Sequence, residues 1–179
     1  MALLKTKGQV VPLDTLADPR GAMPLPGDAL LVLAQPLPLT PQENVALDAW
    51  VRGGGRLLLF ADPMLTAHSD FALGDPRGPQ RAAMLSPILR HWGLELQFDA
   101  AQPAGDRVLV GQAMSLPVNL AGRFSVGAQA HCRIDVQGVA VRCSIGRGLV
   151  LAVGDAAVFD GDDAGRLAAM TSLLAQLDR

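Results

Sequence analysis

Residues 28–62 constrain the fold more than any other part of the chain. An uninterrupted apolar run at 29–34 is typical of a strand that is covered on both faces. Thr40 is followed by a proline and then by a glutamate at the spacing of a capping box, which predicts the start of a helix. Glycines at 53–55 end that helix, and the apolar run at 57–60 predicts a second buried strand. The segment therefore predicts a parallel strand–helix–strand unit with a right-handed crossover.

The second strand of this unit runs into Ala61, Asp62 and Pro63. In an open parallel sheet, ligands and catalytic groups lie at the carboxyl ends of the strands. Neither a cysteine nor a serine, either of which could act as a nucleophile, stands at this turn. The sequence therefore favours a protein that is not an enzyme.

The composition excludes several classes of function. The chain has 179 residues, of which 50% are hydrophobic and 18% are charged, as is typical of one globular domain. Its net charge of -2 gives no basic surface for nucleic acid. No apolar run is long enough to cross a bilayer and the first residues do not resemble a signal peptide, so the sequence alone indicates a cytoplasmic protein or a soluble piece of a membrane-anchored one. Because the glycine clusters at 53–55 and 146–148 precede strands, we expect no phosphate-binding loop and no cofactor.

The rest of the chain continues the α/β pattern. A long loop is predicted at 62–80 and a helix at about 79–92. Short strands separated by glycines fill 107–145 and predict an antiparallel, β-rich insertion. A buried strand at 148–154 and an amphipathic helix at 164–177 close the domain. We therefore predict a single α/β domain with a mainly parallel sheet and helices on both of its faces.

Cys132 and Cys143 lie in a segment, 131–145, that alternates like a β-hairpin around a two-residue turn at 137–138. Folding at this turn places the two cysteines directly opposite each other, within the Cα distance that a disulfide requires. Two alternatives stay open. The cysteines either continue an apolar stripe as reduced thiols, or they form a disulfide, which would imply an oxidising compartment.

Acidic residues collect in two loops at the predicted ligand-binding edge. If the strands at 57–60 and 148–154 are neighbours, then Asp62 and Asp155 follow adjacent strands and make one acidic edge. Such groups can contact a small ligand, hold a cation or act as an acid–base pair. Their spacing matches no metal template, and loop aspartates also form turns and helix caps, as we predict for Asp163. The candidate ligand-binding residues are Asp62, His68, Asp70, Asp75, Asp155 and Asp160.

Several segments resemble one known family. The strings at 30–34, 39–43 and 49–63 resemble the auxiliary soluble domain of GldG-type (gliding-motility-associated) ABC transport systems, and also related domains of the class I glutamine amidotransferase-like superfamily. Residues 85–94, which end in His-Trp-Gly-Leu, resemble the second helix of the family and the turn after it. Residues 146–155 resemble its late glycine, strand and Gly-Asp element.

The resemblance implies a flavodoxin-like three-layer sandwich and a non-catalytic domain that binds a ligand or a partner. The implied partners are permease or ATPase subunits of an ABC transporter, with a small molecule as a further candidate ligand. The implied location is the periplasmic, extracytoplasmic side of the cytoplasmic membrane. One departure is that the transporter relatives carry membrane-spanning helices, which this chain lacks.

Two alternatives to a non-catalytic binding domain stay open, an atypical enzyme and a structural scaffold. Active amidotransferases carry a cysteine after the strand that matches 57–60, and this chain has none there. An atypical hydrolase or amidotransferase-like enzyme would instead use Asp62, His68 and Asp155. The second alternative is a structural scaffold in a membrane-associated complex.

Overall fold

The computed structural model describes residues 2–69, 71, 75, 78 and 80–178. The helices of this part of the chain are Ala2–Lys7 (α1), Pro41–Arg52 (α2), Ser86–His91 (α3) and Ala164–Ala175 (α4). The strands are Leu30–Ala34 (β1), Arg56–Phe60 (β2), Leu94–Gln97 (β3), Arg107–Val110 (β4), Ser115–Val118 (β5), Arg123–Val126 (β6), Cys132–Asp135 (β7), Ala140–Ile145 (β8) and Gly148–Val153 (β9). Single 3-10 turns lie at Val136–Gly138 and Ala157–Phe159.

The predicted strand–helix–strand unit is confirmed. β1 and β2 pair in parallel, with Ala34 opposite Phe60 at their carboxyl ends. The Thr40 hydroxyl accepts the backbone N–H of Glu43 at 3.2 Å, and the Glu43 carboxylate accepts the backbone N–H of Thr40 at 3.0 Å. This reciprocal capping box begins α2 as its sequence predicts, because it satisfies two N–H groups that a helix terminus leaves without a partner.

The main sheet is mixed rather than mainly parallel. Its strand order is β1-β2-β9-β8-β7, in which β1, β2 and β9 run in parallel. β8 is antiparallel to β9, and β7 is antiparallel to β8. The prediction of a flavodoxin-like three-layer sandwich with a mainly parallel sheet is therefore wrong.

The reversal of the last strands has a local cause. Only Gly146 and Arg147 separate β8 from β9, and so short a connection can join only antiparallel neighbours. Gly146 adopts a φ of +58°, a left-handed conformation that is typical of such a hairpin turn. The β-rich stretch at 107–145 is therefore not one separate insertion. β7 and β8 extend the main sheet, whereas β4–β5 and β3–β6 form two further two-stranded antiparallel sheets.

Two hydrophobic clusters cover the two faces of the main sheet. Alternate residues of β2 supply both, with Leu57 and Leu59 on one side and Leu58 and Phe60 on the other. On the first side, α2 and α3 contribute buried side chains such as Trp50. On the second side, α4 and the β4–β5 hairpin close the core. Helices therefore lie on both faces, as predicted, although the sheet between them differs from the prediction.

A close contact holds α2 against the sheet. A side chain at Gly148, the first residue of β9, would meet the backbone carbonyl oxygens of Val51 and Gly55. The N–H of Leu149 donates to that same Gly55 carbonyl at 3.0 Å. The end of α2 and the start of β9 are therefore in direct backbone contact, and only glycine fits between them.

The register predicted for the cysteine hairpin is confirmed, with Cys132 opposite Cys143 in the β7–β8 pair. The structure joins the two residues by a disulfide, with their Cα atoms 4.0 Å apart, rather than leaving reduced thiols. The turn between the strands is a 3-10 turn in which Gln137 has a φ of +57°.

The helix predicted at 79–92 is shorter than expected. α3 begins at Ser86 and ends at His91. Pro87 lies in its first turn, which tolerates a residue without an N–H, and a longer helix running through this proline would have lost a hydrogen bond there. The Asp163 cap predicted for the last helix is confirmed, because its carboxylate accepts the backbone N–H of Arg166 at 3.0 Å.

Candidate functional site: a buried pair of strand-end aspartates

Polar residues follow each of the three parallel strands where they end. Gln35 comes directly after β1, Asp62 comes two residues after β2, and Asp155 comes two residues after β9. β2 and β9 are neighbours whose last paired residues are Phe60 and Val153. The prediction that both aspartates follow adjacent strands at one edge is therefore confirmed.

Asp62 is almost fully buried, with 1% of its surface exposed. One carboxylate oxygen accepts the backbone N–H of Met64 at 2.8 Å, and the other accepts the backbone N–H of Ala156 at 3.1 Å. Its backbone is clamped by the side-chain amide of Gln35, which accepts the Asp62 N–H at 3.0 Å and donates to the Asp62 carbonyl at 2.9 Å. Asp62 thus ties the ends of β1 and β2 to the loop after β9.

Asp155 is equally enclosed, with 2% of its surface exposed. One of its carboxylate oxygens accepts the backbone N–H of Ala157 at 2.6 Å. The other accepts the backbone N–H of Asn119, the residue after β5, at 2.8 Å. Asp155 therefore links the loop after β9 to the β4–β5 hairpin.

Burial controls the protonation of this pair. It raises the pKa of the Asp155 carboxyl to about 7, against hydrogen bonds from Ala157 and Asn119 that favour the charged form, and the negative charges of Asp62 and Asp160 raise it further. Burial likewise raises the pKa of Asp62, where the N–H groups of Met64 and Ala156 oppose the shift. Protonated and ionised Asp155 are therefore both populated near neutral pH.

Asp160 lies close by but faces solvent. Partial burial raises its pKa and Arg166 opposes that shift. The Arg166 guanidinium forms ion pairs with Asp163 at 2.6 Å and Asp106 at 2.8 Å, and it donates to the Ala157 carbonyl at 2.9 Å. The Arg166 guanidinium is therefore already paired with two carboxylates, those of Asp106 and Asp163.

The other candidate residues, His68, Asp70 and Asp75, do not share the burial of this pair or are not described by the structure. His68 is exposed and Asp75 is half-buried. Asp70 lies outside the described residues. Among the residues that the structure describes, no group of three or more His, Cys, Asp or Glu side chains is arranged to hold a metal ion. Ligand binding by the six candidates stays a prediction.

Two contributors to the site were not among the predicted residues. Gln35 carries a sequence signal, because it is the polar residue that follows a buried apolar strand at the carboxyl edge. It also has a φ of +51°, unusual for a residue with a side chain. Asn119 contributes a backbone N–H, which any residue except proline could supply, so no residue type could have indicated it.

Two clefts of the described surface are lined by residues other than the two aspartates. One, of about 180 Å³, lies between α3 and β3 and is lined by residues including Leu85, Leu89, Leu94 and Leu96. A second, of about 450 Å³, borders Gly93, Ser125 and Gly127. Neither is lined by Asp62 or Asp155. With 1% and 2% of their surfaces exposed and each carboxylate oxygen bonded to a backbone N–H, Asp62 and Asp155 form a buried hydrogen-bonded junction.

No helix in the described part of the chain is long and apolar enough to span a membrane.

Solved structures that resemble part of the chain include two glycosidases. A catalytic mutant of Gan42B, a GH42 β-galactosidase from G. stearothermophilus, is 15% identical with a TM-score of 0.52; the match covers 83% of this chain and 21% of that one. The exo-β-1,4-mannosidase Op5Man5 from Opitutaceae bacterium strain TAV5 is 18% identical with a TM-score of 0.49; the match covers 87% of this chain and 24% of that one. The chain thus spans about a quarter or less of these enzymes, and at such identity the likeness to Gan42B concerns the fold alone.

Among curated proteins, none matches the chain. A family match covers residues 9–108, which contain β1, α2, β2, α3 and β3 together with Gln35 and Asp62. The match spans more than half of the chain and includes the carboxyl ends of β1 and β2. The chain belongs to the family described as ABC-type uncharacterized transport system.

Proposed function

We propose that this chain is a non-enzymatic auxiliary domain of an ABC-type transport system that works by binding other subunits of the system. Membership of the family supports the transport role. The strings at 30–34, 39–43 and 49–63, which resemble GldG-type domains of the glutamine amidotransferase-like superfamily, support the narrower assignment to that branch.

One observation carries the non-enzymatic part of the proposal. Asp62 and Asp155 lie at the edge where α/β proteins usually carry their ligand-binding and catalytic groups. Each of their carboxylate oxygens accepts a backbone N–H of the same chain. A general acid or base must reach its substrate directly or through one water, and these two side chains are 1% and 2% exposed. Their contacts suit a structural junction better than a reacting group.

The disulfide supports an extracytoplasmic location. Disulfides persist in oxidising compartments and are rare in the cytosol of most organisms. Cys132 and Cys143 are the two cysteines of the chain, and both are used in this bond. We therefore propose that the domain works on the periplasmic or external side of the membrane.

An exposed aliphatic pair supports partner binding. Val108 and Val110 lie on the same face of β4 and are 66% and 69% exposed. Their neighbours on the opposite face, Leu109 and Leu116, pack into the core. Aliphatic side chains presented side by side on a well-packed hairpin are suited to burial against another protein.

The test is co-purification of the full-length protein with the permease and ATPase subunits of its own transport system. We expect a stoichiometric complex, and we expect Val108→Ser with Val110→Ser to weaken it at least tenfold. Val45→Ser is the matched control, because Val45 is 68% exposed but lies on α2. A full-length protein that stays separate from both subunits would overturn the proposal.

The enzymatic alternative is tested in parallel. A panel of ester, amide and glycoside substrates should give no turnover above that of buffer. Turnover that disappears in Asp62→Asn, in protein that keeps its fold by circular dichroism, would replace the binding proposal with the hydrolase alternative.

A further inference from the structure

We propose that the outer edge of β1 is a docking surface for a second copy of the chain, with the two β1 strands paired antiparallel about a two-fold axis. The main sheets of the two copies then form one continuous sheet, in which Val32 of one copy lies opposite Val32 of the other. This pairing goes beyond the transport role and does not depend on it.

The backbone of β1 is paired on one side only. β1 is the first strand of the main sheet, and its neighbour there is β2. The N–H of Gln35 donates to the Phe60 carbonyl at 3.3 Å, which places the backbone groups of the odd-numbered residues on the β2 side. The backbone groups of Leu30, Val32 and Ala34 therefore point outwards. In the described part of the chain, no other strand pairs with these three residues and no loop backbone group bonds to them.

This edge lacks the features that usually keep a free strand from pairing. Proteins protect such strands with charged side chains, with proline or with a covering segment. No charged residue occurs between positions 29 and 39, and no proline occurs within β1. β7, at the other border of the same sheet, carries Arg133 and Asp135. The β1 border is therefore the one that is open to a further strand.

The composition of β1 also exceeds what one copy of the chain encloses. All five residues of the strand are apolar, as is typical of a strand with neighbours on both sides. Within β1, however, only Leu31 is buried, and Ala34 is exposed. In β2, by contrast, every residue from Leu57 to Phe60 is buried. A further strand on this edge would enclose β1 as β2 is enclosed.

The register makes a second copy a fitting occupant. Antiparallel pairing about an axis at Val32 joins outward-facing residues only, Leu30 with Ala34 and Val32 with itself, and each joined pair can exchange two backbone hydrogen bonds. The large side chain of Leu30 then lies beside the small one of Ala34 on the same face of the sheet. Because the paired segment carries no charge, no like charges meet across the axis.

Both ends of β1 are already fixed within one copy. Just before the strand, Arg56 donates to the Asp28 carbonyl at 2.6 Å. Just after it, the Gln35 side chain makes its two hydrogen bonds with the Asp62 backbone. β1 therefore presents its edge without reordering, which lowers the conformational cost of pairing.

Sedimentation equilibrium of the full-length protein at a series of concentrations measures the association. We expect the mean mass to rise from that of one copy towards that of two. Ala34→Pro removes an outward N–H and leaves the β1–β2 bonds in place, so it should weaken the dimer at least roughly tenfold. Ala34→Ser is the matched control, because it keeps the N–H and should associate as the parent does.

Two results of this experiment would overturn the pairing. One is a dimer that Ala34→Pro, folded by circular dichroism, leaves unchanged. The other is a parent protein that stays monomeric at every concentration. If Ala34→Pro then also loses binding to a transport subunit, the edge belongs to that subunit and not to a second copy.

Cysteine cross-linking tests the register, and it decides alone if Ala34→Pro does not fold. Cys132 and Cys143 are bonded to each other, so Val32→Cys adds one free thiol, which the axis places opposite its own copy with Cα atoms about 5.5 Å apart. We expect this variant to form a disulfide-linked dimer under mild oxidation.

Ala34→Cys is the matched control for cross-linking. Ala34 is more exposed than Val32 and lies on the same face of the strand, but its counterpart in the second copy lies about 14 Å away along the sheet. Ala34→Cys should therefore remain largely unlinked. Equal cross-linking of the two variants, or none in Val32→Cys, would rule out the proposed pairing.

Discussion

Asp62 and Asp155 occupy equivalent positions on neighbouring parallel strands, each two residues beyond the paired ends Phe60 and Val153. The Asp62 carboxylate accepts the N–H of Ala156, the residue that follows its partner aspartate. Asp62 therefore helps to fix the loop that carries Asp155.

Stability should depend on pH in the opposite sense to that of an ordinary salt-bridged protein. The pKa of Asp155 is about 7 in the folded chain, against an ordinary value of 3.8. The folded state keeps a proton that the unfolded chain gives up, so raising the pH favours unfolding, and the loss is complete once the pH passes the folded pKa. Between about pH 5 and about pH 8 the free energy of unfolding should fall by about 2–4 kcal/mol.

Urea denaturation at a series of pH values measures this fall. Aspartates with a lowered pKa, such as Asp48 and Asp135, act in the opposite sense, but their effect is complete once the unfolded chain has lost these protons, by about pH 5. A free energy of unfolding that rises from about pH 5 to about pH 8 would contradict the prediction.

Gln35 should matter to stability although it lies outside the hydrophobic core. Its side chain makes two hydrogen bonds with the Asp62 backbone, so Gln35→Ala should cost about 1–3 kcal/mol. Gln35→Gly loses the same bonds but accepts the φ of +51° without strain. We expect the glycine variant to be more stable than the alanine variant by about 1 kcal/mol in thermal or urea unfolding. Equal stability of the two would show that the backbone conformation is not strained.

Gly148 should not tolerate any side chain. An added methyl would meet the backbone oxygens of Val51 and Gly55, which cannot move without shifting α2. Gly148→Ala should therefore cost about 3 kcal/mol or more, or abolish folding. Gly8→Ala is the control, because nothing lies within 4 Å of the added methyl there. Near-native unfolding of Gly148→Ala would mean that the approach of helix and strand is looser than described.

The disulfide should contribute to stability. Cys132 and Cys143 are separated by 11 positions, and closing a loop of that size stabilises the folded state by about 2–3 kcal/mol in the chain-entropy account. The paired substitution Cys132→Ala with Cys143→Ala should lower the free energy of unfolding by about that amount. Reductant should lower the stability of the parent protein and leave the double variant unchanged. A parent protein that responds no more than the variant would contradict this expectation.

Local sequence was sufficient wherever neighbouring residues determine the structure. The capping box at Thr40 and Glu43 specified the start of α2, and the alternation around Cys132 and Cys143 specified the hairpin register. Each of two apolar strands is followed by an aspartate, which indicated that Asp62 and Asp155 share one edge of the sheet. Each of these signals lies within a few residues of the feature that it predicts.

The direction of the last strands was missed because an apolar run does not itself show the direction of its neighbours in the sheet. A buried apolar run such as β9 can be parallel to one neighbour and antiparallel to the other, and β9 is both. The signal that could have settled this was the two-residue connection at Gly146 and Arg147, which requires an antiparallel partner. The burial of Asp62 and Asp155 was likewise missed, because their hydrogen bonds come from backbone groups of segments distant in sequence.

The disulfide closes one border of the main sheet covalently. β7 is the last strand on its side, and a strand at such a border is usually the part that another copy of the chain could displace or exchange. With Cys132 bonded to Cys143, β7 cannot leave without β8, and β8 is itself paired along its whole length with β9. An exchanged dimer would therefore have to trade this entire cross-linked hairpin, which gives an oxidised chain a built-in resistance to swapping at that side.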